Sequence, residues 1–263
     1  MSCCPPEALP YLQSEGTPKG LKKRTNDCEF YESCSSSSSA SSKALIIIPD
    51  VWGWDSGRIR KLGDYFAETA GFFVCIPKLL DPPYQGGTDG DALPPDFDVK
   101  SRREEFIAYM KEHPFTVQEP KLKALIDYLL KDNTERTIYL LGCCWGGYII
   151  AEMMGSTGLS SRVVAGVGMH PSVGIAGLYS KDEVAIVEAM KAPVLWVPTQ
   201  GDSDDYRQGG RLLTASPEGS HFIDYPTVTH GFFTRGDSKD ENVAKSIQKA
   251  VEDILSFFEK VGK

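Results

Sequence analysis

A thiol, a carboxylate and an imidazole occur along the chain in the order Cys144, Asp202, His230. A thiolate is a strong nucleophile, and an imidazole can take up and return a proton near neutral pH. A carboxylate that is hydrogen-bonded to this imidazole holds its tautomer and stabilises the imidazolium. The three residue types therefore suit nucleophilic chemistry through a covalent intermediate, provided that the fold brings them together.

Cys144 stands in the glycine-rich stretch GCCWGG at residues 142–147. An apolar run at residues 137–141 precedes it and apolar residues resume at Tyr148, which predicts a strand, a sharp turn and a helix. In a G-x-S-x-G turn the middle residue is exposed at the top of a sheet, and Cys144 has that position here. The helix dipole favours a thiolate at this place, and the N–H of Trp145 can point at an oxyanion. We therefore predict an exposed Cys144, with Cys143 pointing back into the sheet.

Other interpretations of this turn stay open at the level of the residues alone. Free cysteine is among the most buried residue types, so Cys143 and Cys144 could both be structural. A redox or electrophile sensor could use the two adjacent thiols, since a low-pKa exposed thiol beside another thiol suits reversible oxidation. A non-catalytic binding module is a further alternative, because fold does not imply function.

Four histidines could supply the base. His230 precedes a glycine in a loop between a predicted strand and a predicted helix, and we predict that it is the general base. His170 also follows a strand but precedes a proline, so it is either an alternative base or part of the pocket wall. His113 and His221 are interpreted as structural residues, at a surface helix end and at a strand edge.

The acid and the substrate-binding cations are less sharply defined. Three aspartates share one turn, and strand length favours Asp202 over Asp204 and Asp205, although turns rich in Asp are common for purely local reasons. Arg235, and either Arg102 or Arg103, are the cations that we expect at the crevice. The alternative for each arginine is a solvated helix face or a surface ion pair.

The elements that would position these residues alternate between strands and helices. The run ALIII at residues 44–48 is typical of a strand buried on both faces of a parallel sheet. Strands are predicted at residues 44–48, 72–77, 137–141, 163–169, 194–197 and 222–225, and helices at 59–70, 100–112, 119–132, after the glycine-rich turn, at 181–190, 207–213 and 241–260. This alternation predicts one α/β domain with a mainly parallel, doubly wound sheet and helices on both faces. The crevice of such a sheet lies outside the carboxyl ends of its strands, where the candidate residues stand.

Two segments lack this periodicity. The serine-rich residues 35–42 predict a mobile loop between edge strands. Residues 77–98 are rich in Pro and Gly, and a loop of this length inside a compact domain is usually functional, which predicts a lid or a pocket wall.

Composition and charge exclude several classes of protein. The chain has 263 residues, a formal net charge of −8 and 41% hydrophobic residues, which fits a globular core but not nucleic acid or an anionic membrane as main partner. No apolar run is long enough to cross a membrane. Seven cysteines without a secretory signal predict reduced thiols and a cytoplasmic location. Since phosphate-binding, dinucleotide-binding and zinc-binding motifs are missing, we expect no metal and no cofactor. We also expect a monomer or a weak homodimer.

Three stretches resemble the dienelactone hydrolase family, whose members are similar to carboxymethylenebutenolidase: IIPDVWG at residues 47–53, GCCWGG at 142–147 and THGF at 229–232. The similarity extends from about residue 20 to the end, which divides the chain into an irregular N-terminal segment, 1–19, and a domain, 20–263. The resemblance implies an α/β-hydrolase fold. It also implies a carboxylic ester hydrolase that opens a lactone or cleaves an ester of a small, carboxylate-bearing molecule through an acyl-enzyme.

Carried over to this sequence, the resemblance implies Cys144 as nucleophile, His230 as base and Asp202 as orienting acid. It also implies a carboxylate, Asp50, beside the thiol, substrate-binding arginines at Arg103 and Arg235, and oxyanion N–H groups at Val51 and Trp145. Asp50 is Glu in the best-known members, and Arg235 lies five residues after the histidine where some members have four. The loop at residues 77–98 and the N-terminal stretch at residues 3–6 resemble a broader, divergent branch of the family, so a dienelactone substrate does not follow.

Overall fold

The computed structural model describes residues 16–34 and 41–262. Most of the predicted N-terminal segment, residues 1–15, and most of the predicted serine-rich loop, residues 35–40, lie outside this part. None of the helices in the described ranges combines the length and the apolar character that crossing a membrane requires.

Ten strands occur in the described residues: β1 (Leu21–Arg24), β2 (Glu29–Ser33), β3 (Lys43–Ile48), β4 (Phe73–Pro77), β5 (Thr137–Cys143), β6 (Val163–Met169), β7 (Val194–Val197), β8 (Thr199–Gln200), β9 (His221–Phe222) and β10 (Tyr225–Thr229). Eight of them form one sheet in the order β1-β2-β4-β3-β5-β6-β7-β9. The pairings from β4 to β9 are all parallel, and β1 and β2 are antiparallel at one edge. The predicted mainly parallel sheet is confirmed.

Helices cover both faces of this sheet, as a doubly wound fold requires. They are α1 (Ile59–Ala70), α2 (Arg103–Lys111), α3 (Phe115–Lys131), α4 (Trp145–Gly155), α5 (Glu183–Glu188), α6 (Arg211–Ala215), α7 (Phe232–Arg235) and α8 (Glu241–Val261). Side chains of a strand alternate between the two faces. Ile46 accordingly belongs to a core with α3 and α4, whereas Ile47 belongs to a core with α1 and α8.

The predicted strand at residues 222–225 is wrong, because the chain changes sheets there. β9 pairs with β7 in the main sheet, and β10 then pairs in parallel with β8 in a separate two-stranded sheet. Pro226 has no N–H to donate to a ladder, and proline in a sheet is confined to edge positions such as this one. In the small sheet Thr229 is the partner of Gln200, so the turn after β8 and the loop after β10 lie side by side.

The long segment at residues 77–98 packs against the domain, with Leu80, Leu93 and Phe97 buried. The N–H of Leu93 donates to the Val51 carbonyl at 3.3 Å. The buried Asp91 carboxylate accepts the N–H of Trp54 at 3.0 Å. The segment therefore braces the loop that follows β3, and this is the role that the structure supports instead of a lid.

The buried Asp91 makes stability depend on pH in a specific direction. Burial raises the pKa of Asp91 to about 7. The folded state therefore holds this proton to higher pH than the unfolded chain does, and stability falls as pH rises between the two pKa values. We expect Asp91→Asn, which cannot ionise, to gain stability relative to the wild type between about pH 4 and pH 7, by at most ~1.4 kcal/mol per pH unit.

Urea unfolding of both proteins at pH 4 to 8 measures this difference. Asp96→Asn, on the exposed side of the same segment, is the matched control and should follow the wild type. Identical pH profiles for the two asparagine variants would contradict the role assigned to Asp91.

Candidate active site

The glycine-rich turn forms a tight strand–turn–helix at the end of β5. Cys144 connects β5 to α4 and has φ 55° and ψ −113°, a strained conformation for a residue with a side chain. A Cβ at Gly142 would lie 2.2 Å from the carbonyl oxygen of Gly146, and a Cβ at Gly146 would lie 2.3 Å from that of Ile48. Both glycines are therefore required by the close approach of backbone segments, which explains their spacing around the cysteine.

Cys144 is not exposed, contrary to the sequence-based expectation. Its exposed fraction is 0%, and its Sγ lies 3.5 Å from the Oγ of Ser172. The turn after β6 folds over the elbow, where the N–H of Ser172 donates to the Cys144 carbonyl at 3.0 Å. Cys143 is also fully buried and belongs to the core on the opposite face of the sheet. The thiol of Cys144 thus has no exposed surface.

His230 and Asp202 meet where the two-stranded sheet ends. The Nδ1 of His230 lies 2.8 Å from a carboxylate oxygen of Asp202. The other carboxylate oxygen accepts the N–H of Thr199 at 2.8 Å and its hydroxyl at 2.7 Å. The alternative acids are elsewhere: Asp204 is 99% exposed and pairs with an arginine, and Asp205 pairs with Arg211. Asp202 is thus the aspartate of this turn that is held against the imidazole.

The charges of this cluster reinforce each other. Burial acts to lower the pKa of His230, but the Cys144 thiolate and the Asp202 carboxylate outweigh it and raise the pKa to about 10. Burial acts to raise the pKa of Asp202, but the hydrogen bond and charge of His230 bring it below its usual range. The arrangement therefore favours a thiolate–imidazolium pair next to an ionised carboxylate.

His170, the alternative base, is a fully buried neighbour of His230. Their ring centroids are 4.7 Å apart, and within the described residues neither ring nitrogen of His170 has a hydrogen-bond partner. Burial, followed by the charges of His230 and Arg235, holds the pKa of His170 well below its usual range. His170 is therefore a neutral ring without an orienting carboxylate.

The other two histidines lie away from this cluster. His113 was expected at the surface but is buried after α2, with its ring 4.5 Å from that of Tyr109. The backbone at His113 is held against the domain, because the Tyr179 hydroxyl donates to its carbonyl at 3.3 Å. His221 lies on the edge strand β9, beside Phe257.

Asp50 and Arg235 form an ion pair with no exposed surface on either side chain. The Nε of Arg235 donates to Asp50 at 2.9 Å, and the same carboxylate accepts the Thr234 hydroxyl at 3.1 Å and the Trp52 N–H at 2.9 Å. Arg235 was expected on the substrate, but it is not part of the cleft wall. A fully buried carboxylate needs a counter-charge, and Arg235 provides it.

The Asp50 carboxylate also lies close to the glycine-rich turn. Burial first, and then the charge of Asp50, raise the pKa of Cys143. Val51 follows Asp50 directly, and its carbonyl is fixed by the bond from Leu93. Trp145 is the first residue of α4, so its N–H has no acceptor one turn earlier in the helix.

A cleft of about 770 Å³ opens at the pair of His230 and Asp202, and Cys144 is not among the residues that line it. Asp202, His230 and Ser172 line it, and Arg103 and Lys100 stand on its α2 side. Arg102, the alternative to Arg103, instead lies over the ring of Phe97 and pairs with Glu105 at 2.7 Å. Sequence reasoning missed Ser172 and Lys100. Ser172 could have been found from its place just after a strand end.

Nowhere in the described ranges do three or more His, Cys, Asp or Glu side chains come together in a way that could hold a metal ion.

Comparisons with known proteins agree with this architecture. The model of the dienelactone hydrolase family matches residues 33–262. The chain is 24% identical to hydrolase tropI of Talaromyces stipitatus, over 100% of this chain and 96% of that protein. It is 22% identical to the carboxymethylenebutenolidase homolog of Mus musculus, over 73% of this chain and 71% of that one. The dienelactone hydrolase structure from Anabaena variabilis matches with a TM-score of 0.58 at 13% identity, over 92% and 96% of the two chains, and shows the shared α/β-hydrolase fold.

The coupling between thiol and imidazole can be measured directly. Cys144→Ala removes the charge that contributes most to raising the His230 pKa, while the lowering effect of burial remains. We expect the His230 pKa to fall by at least ~1 unit in this variant. Titration of the histidine ring protons by NMR measures it, with Cys143→Ala, on the opposite face, as the matched control. The same His230 pKa in both variants would show that the thiolate does not set it.

Proposed function

As a member of the dienelactone hydrolase family, this chain is a carboxylic ester hydrolase, and we propose that it cleaves an ester or lactone of a small, carboxylate-bearing molecule through an acyl-enzyme at Cys144. The observation that carries the proposal is the 2.8 Å hydrogen bond between His230 and Asp202, both of which line the cleft. A base held in this way has a fixed tautomer, with Nε2 left for the proton of the nucleophile.

In the free enzyme the proton of Cys144 rests on His230, and in the first half-reaction the Cys144 thiolate attacks the substrate carbonyl carbon. The negative charge that develops on the carbonyl oxygen is stabilised by the N–H groups of Trp145 and Val51. When the tetrahedral intermediate collapses, the C–O bond breaks and His230 returns its proton to the leaving alcohol. The product of this step is a thioester on Cys144.

In the second half-reaction water replaces the thiolate. His230 removes a proton from a water molecule, whose oxygen attacks the thioester carbonyl. Collapse releases the carboxylic acid, and the proton on His230 restores the Cys144–His230 pair. Asp202 stays ionised throughout and orients the imidazole.

Other groups support this reaction from fixed positions. Asp50 connects the segment that carries Val51 to α7, which begins just after His230, so the pair with Arg235 holds an oxyanion donor in register with the base. Ser172 can donate its hydroxyl to the thiolate, since the two atoms are 3.5 Å apart. Arg103 and Lys100 are the cations suited to the substrate carboxylate, because both line the cleft and no ion pair within residues 16–34 and 41–262 engages either one.

The competing functions have no observation in their favour. A thiol sensor that uses Cys143 and Cys144 needs an exposed thiol, and both are fully buried, in cores on opposite faces of the sheet. A non-catalytic binding module is set aside by membership of a hydrolase family.

The nucleophile is tested by removing the thiol. We expect Cys144→Ala to lower kcat/KM for p-nitrophenyl acetate by at least ~10³-fold, because the covalent route is lost. Cys143→Ala is the matched control, and its circular dichroism and activity should stay close to those of the wild type. Undiminished hydrolysis by Cys144→Ala would refute the acyl-enzyme.

The acid is tested with two aspartates of the same turn. Asp202→Asn leaves the imidazole without its carboxylate, and we expect kcat to fall by roughly 10³- to 10⁴-fold. Asp204→Asn changes the charge by the same amount at a side chain that is 99% exposed, so its kcat should stay within about twofold of wild type. Equal losses in the two variants would mean that the turn acts through its charge alone, and not through a bond to His230.

A further inference from the structure

One wall of the cleft is made of aliphatic side chains that are only half buried. Ile107 comes from α2, and Ile175 and Leu178 come from the 3₁₀ segment Val173–Tyr179. Each packs against the core on its inner side and lines the cleft on its outer side. Phe106, of which 8% is exposed, adds an aromatic edge to the same wall.

This apolar wall is distinct from the strongly exposed apolar side chains of the described residues. The strongly exposed large apolar side chains in the described residues are Leu21, Tyr65 and Val117, and none of them lines the cleft. Single exposed apolar residues are normal, whereas a contiguous apolar surface in a concave site marks a place where an apolar ligand is covered. The wall therefore fits the body of a bound molecule.

The acidic side chains around the cleft are already in ion pairs, whereas two of its basic side chains are not. Glu183 and Asp205 line it on one side, but both are already paired with Arg211, at 2.8 and 2.9 Å. On the α2 side, Arg103 and Lys100 have no such partner among the described residues. The cleft thus has cationic groups available to a ligand, while its acidic groups are engaged.

The helix fixes the distance between the charged and the apolar features. Arg103 and Ile107 are four residues apart on α2, so they lie on the same face, about 6 Å apart along the axis. The volume of about 770 Å³ is large for an acetyl group, and it falls in the range of about 300–1,000 Å³ that is typical of pockets for drug-sized ligands. A molecule that fills the site can reach both features at once.

We propose that the cleft takes amphiphilic esters or lactones that carry a free carboxylate, and the acids released from them. An aromatic or branched aliphatic body lies on the wall of Ile107, Ile175 and Leu178, while the free carboxylate reaches Arg103 and Lys100 about one helical turn away. This specifies the substrate class of the proposed hydrolase and rests on that function. Binding of the acid is nevertheless independent of the chemistry at Cys144, and it can be tested separately.

The experiment is calorimetric titration of the wild-type protein with two probes, 4-phenylbutyrate and butyrate, which share the carboxylate and differ in the apolar body. We expect 4-phenylbutyrate to bind about ten- to a hundredfold more tightly, since covering a phenyl ring contributes favourably in an apolar site. Equal affinity for the two acids would overturn the proposal.

Variants of the wall residues test whether the apolar wall causes the preference for 4-phenylbutyrate. Ile107→Asn and Leu178→Asn should each reduce the preference for 4-phenylbutyrate by at least about threefold and leave the affinity for butyrate unchanged. The control is Val117→Asn, on an exposed face of α3, which should leave both affinities unchanged. Arg103→Ala should weaken both acids by the same factor. A preference that survives in both wall variants would overturn the proposal. If Cys144→Ala kept its hydrolytic activity, the proposed acyl-enzyme would be refuted, but the affinities for the two acids would not change. Failure of the proposed function and failure of the binding proposal can therefore be told apart.

Discussion

The fully buried ion pair between Asp50 and Arg235 connects the two segments that flank the thiol. Asp50 lies at the start of the loop after β3 and precedes Val51, the proposed oxyanion donor, whereas Arg235 ends the short helix that follows His230. Buried ion pairs contribute little net stability, because desolvation of both charges offsets their attraction. What the pair provides here is a fixed connection: the Thr234 hydroxyl and the Trp52 N–H complete the hydrogen bonds of the carboxylate, so neither segment can shift alone.

The small sheet formed by β8 and β10 likewise fixes the positions of Asp202 and His230, the proposed acid and base. Because Thr229 is paired with Gln200, the residues that follow each strand emerge together, and Asp202 can fold back to accept two bonds from Thr199 while it holds His230. The long segment at residues 77–98 supports the third side of the site through Asp91 and Leu93. Three loops after three strands are thus held by contacts that do not involve the substrate.

Much of this arrangement was predictable, because it depends on strand order and local spacing. The parallel sheet and the candidate residues after its strands follow from apolar periodicity and from the rule that carboxyl ends of parallel strands meet at one edge. The burial of Cys144 was not predictable, since it depends on the path by which Pro171 and Ser172 fold over the elbow. The direction of Arg235 was also missed. The position of a residue in a helix predicts the face on which its side chain lies. It does not predict whether that side chain binds a buried carboxylate such as Asp50 or a ligand.

Burial of the thiol also explains how one imidazole can serve two opposite steps of the proposed reaction. In the free enzyme the thiolate is the group that contributes most to raising the His230 pKa, so His230 holds a proton that it can give to a leaving alcohol. Acylation turns the thiolate into a neutral thioester and removes that contribution, while burial continues to disfavour the charged ring. The neutral His170 ring beside it supplies no compensating charge. Formation of the proposed acyl-enzyme would therefore lower the pKa of His230 at the stage when it must act as a base toward water.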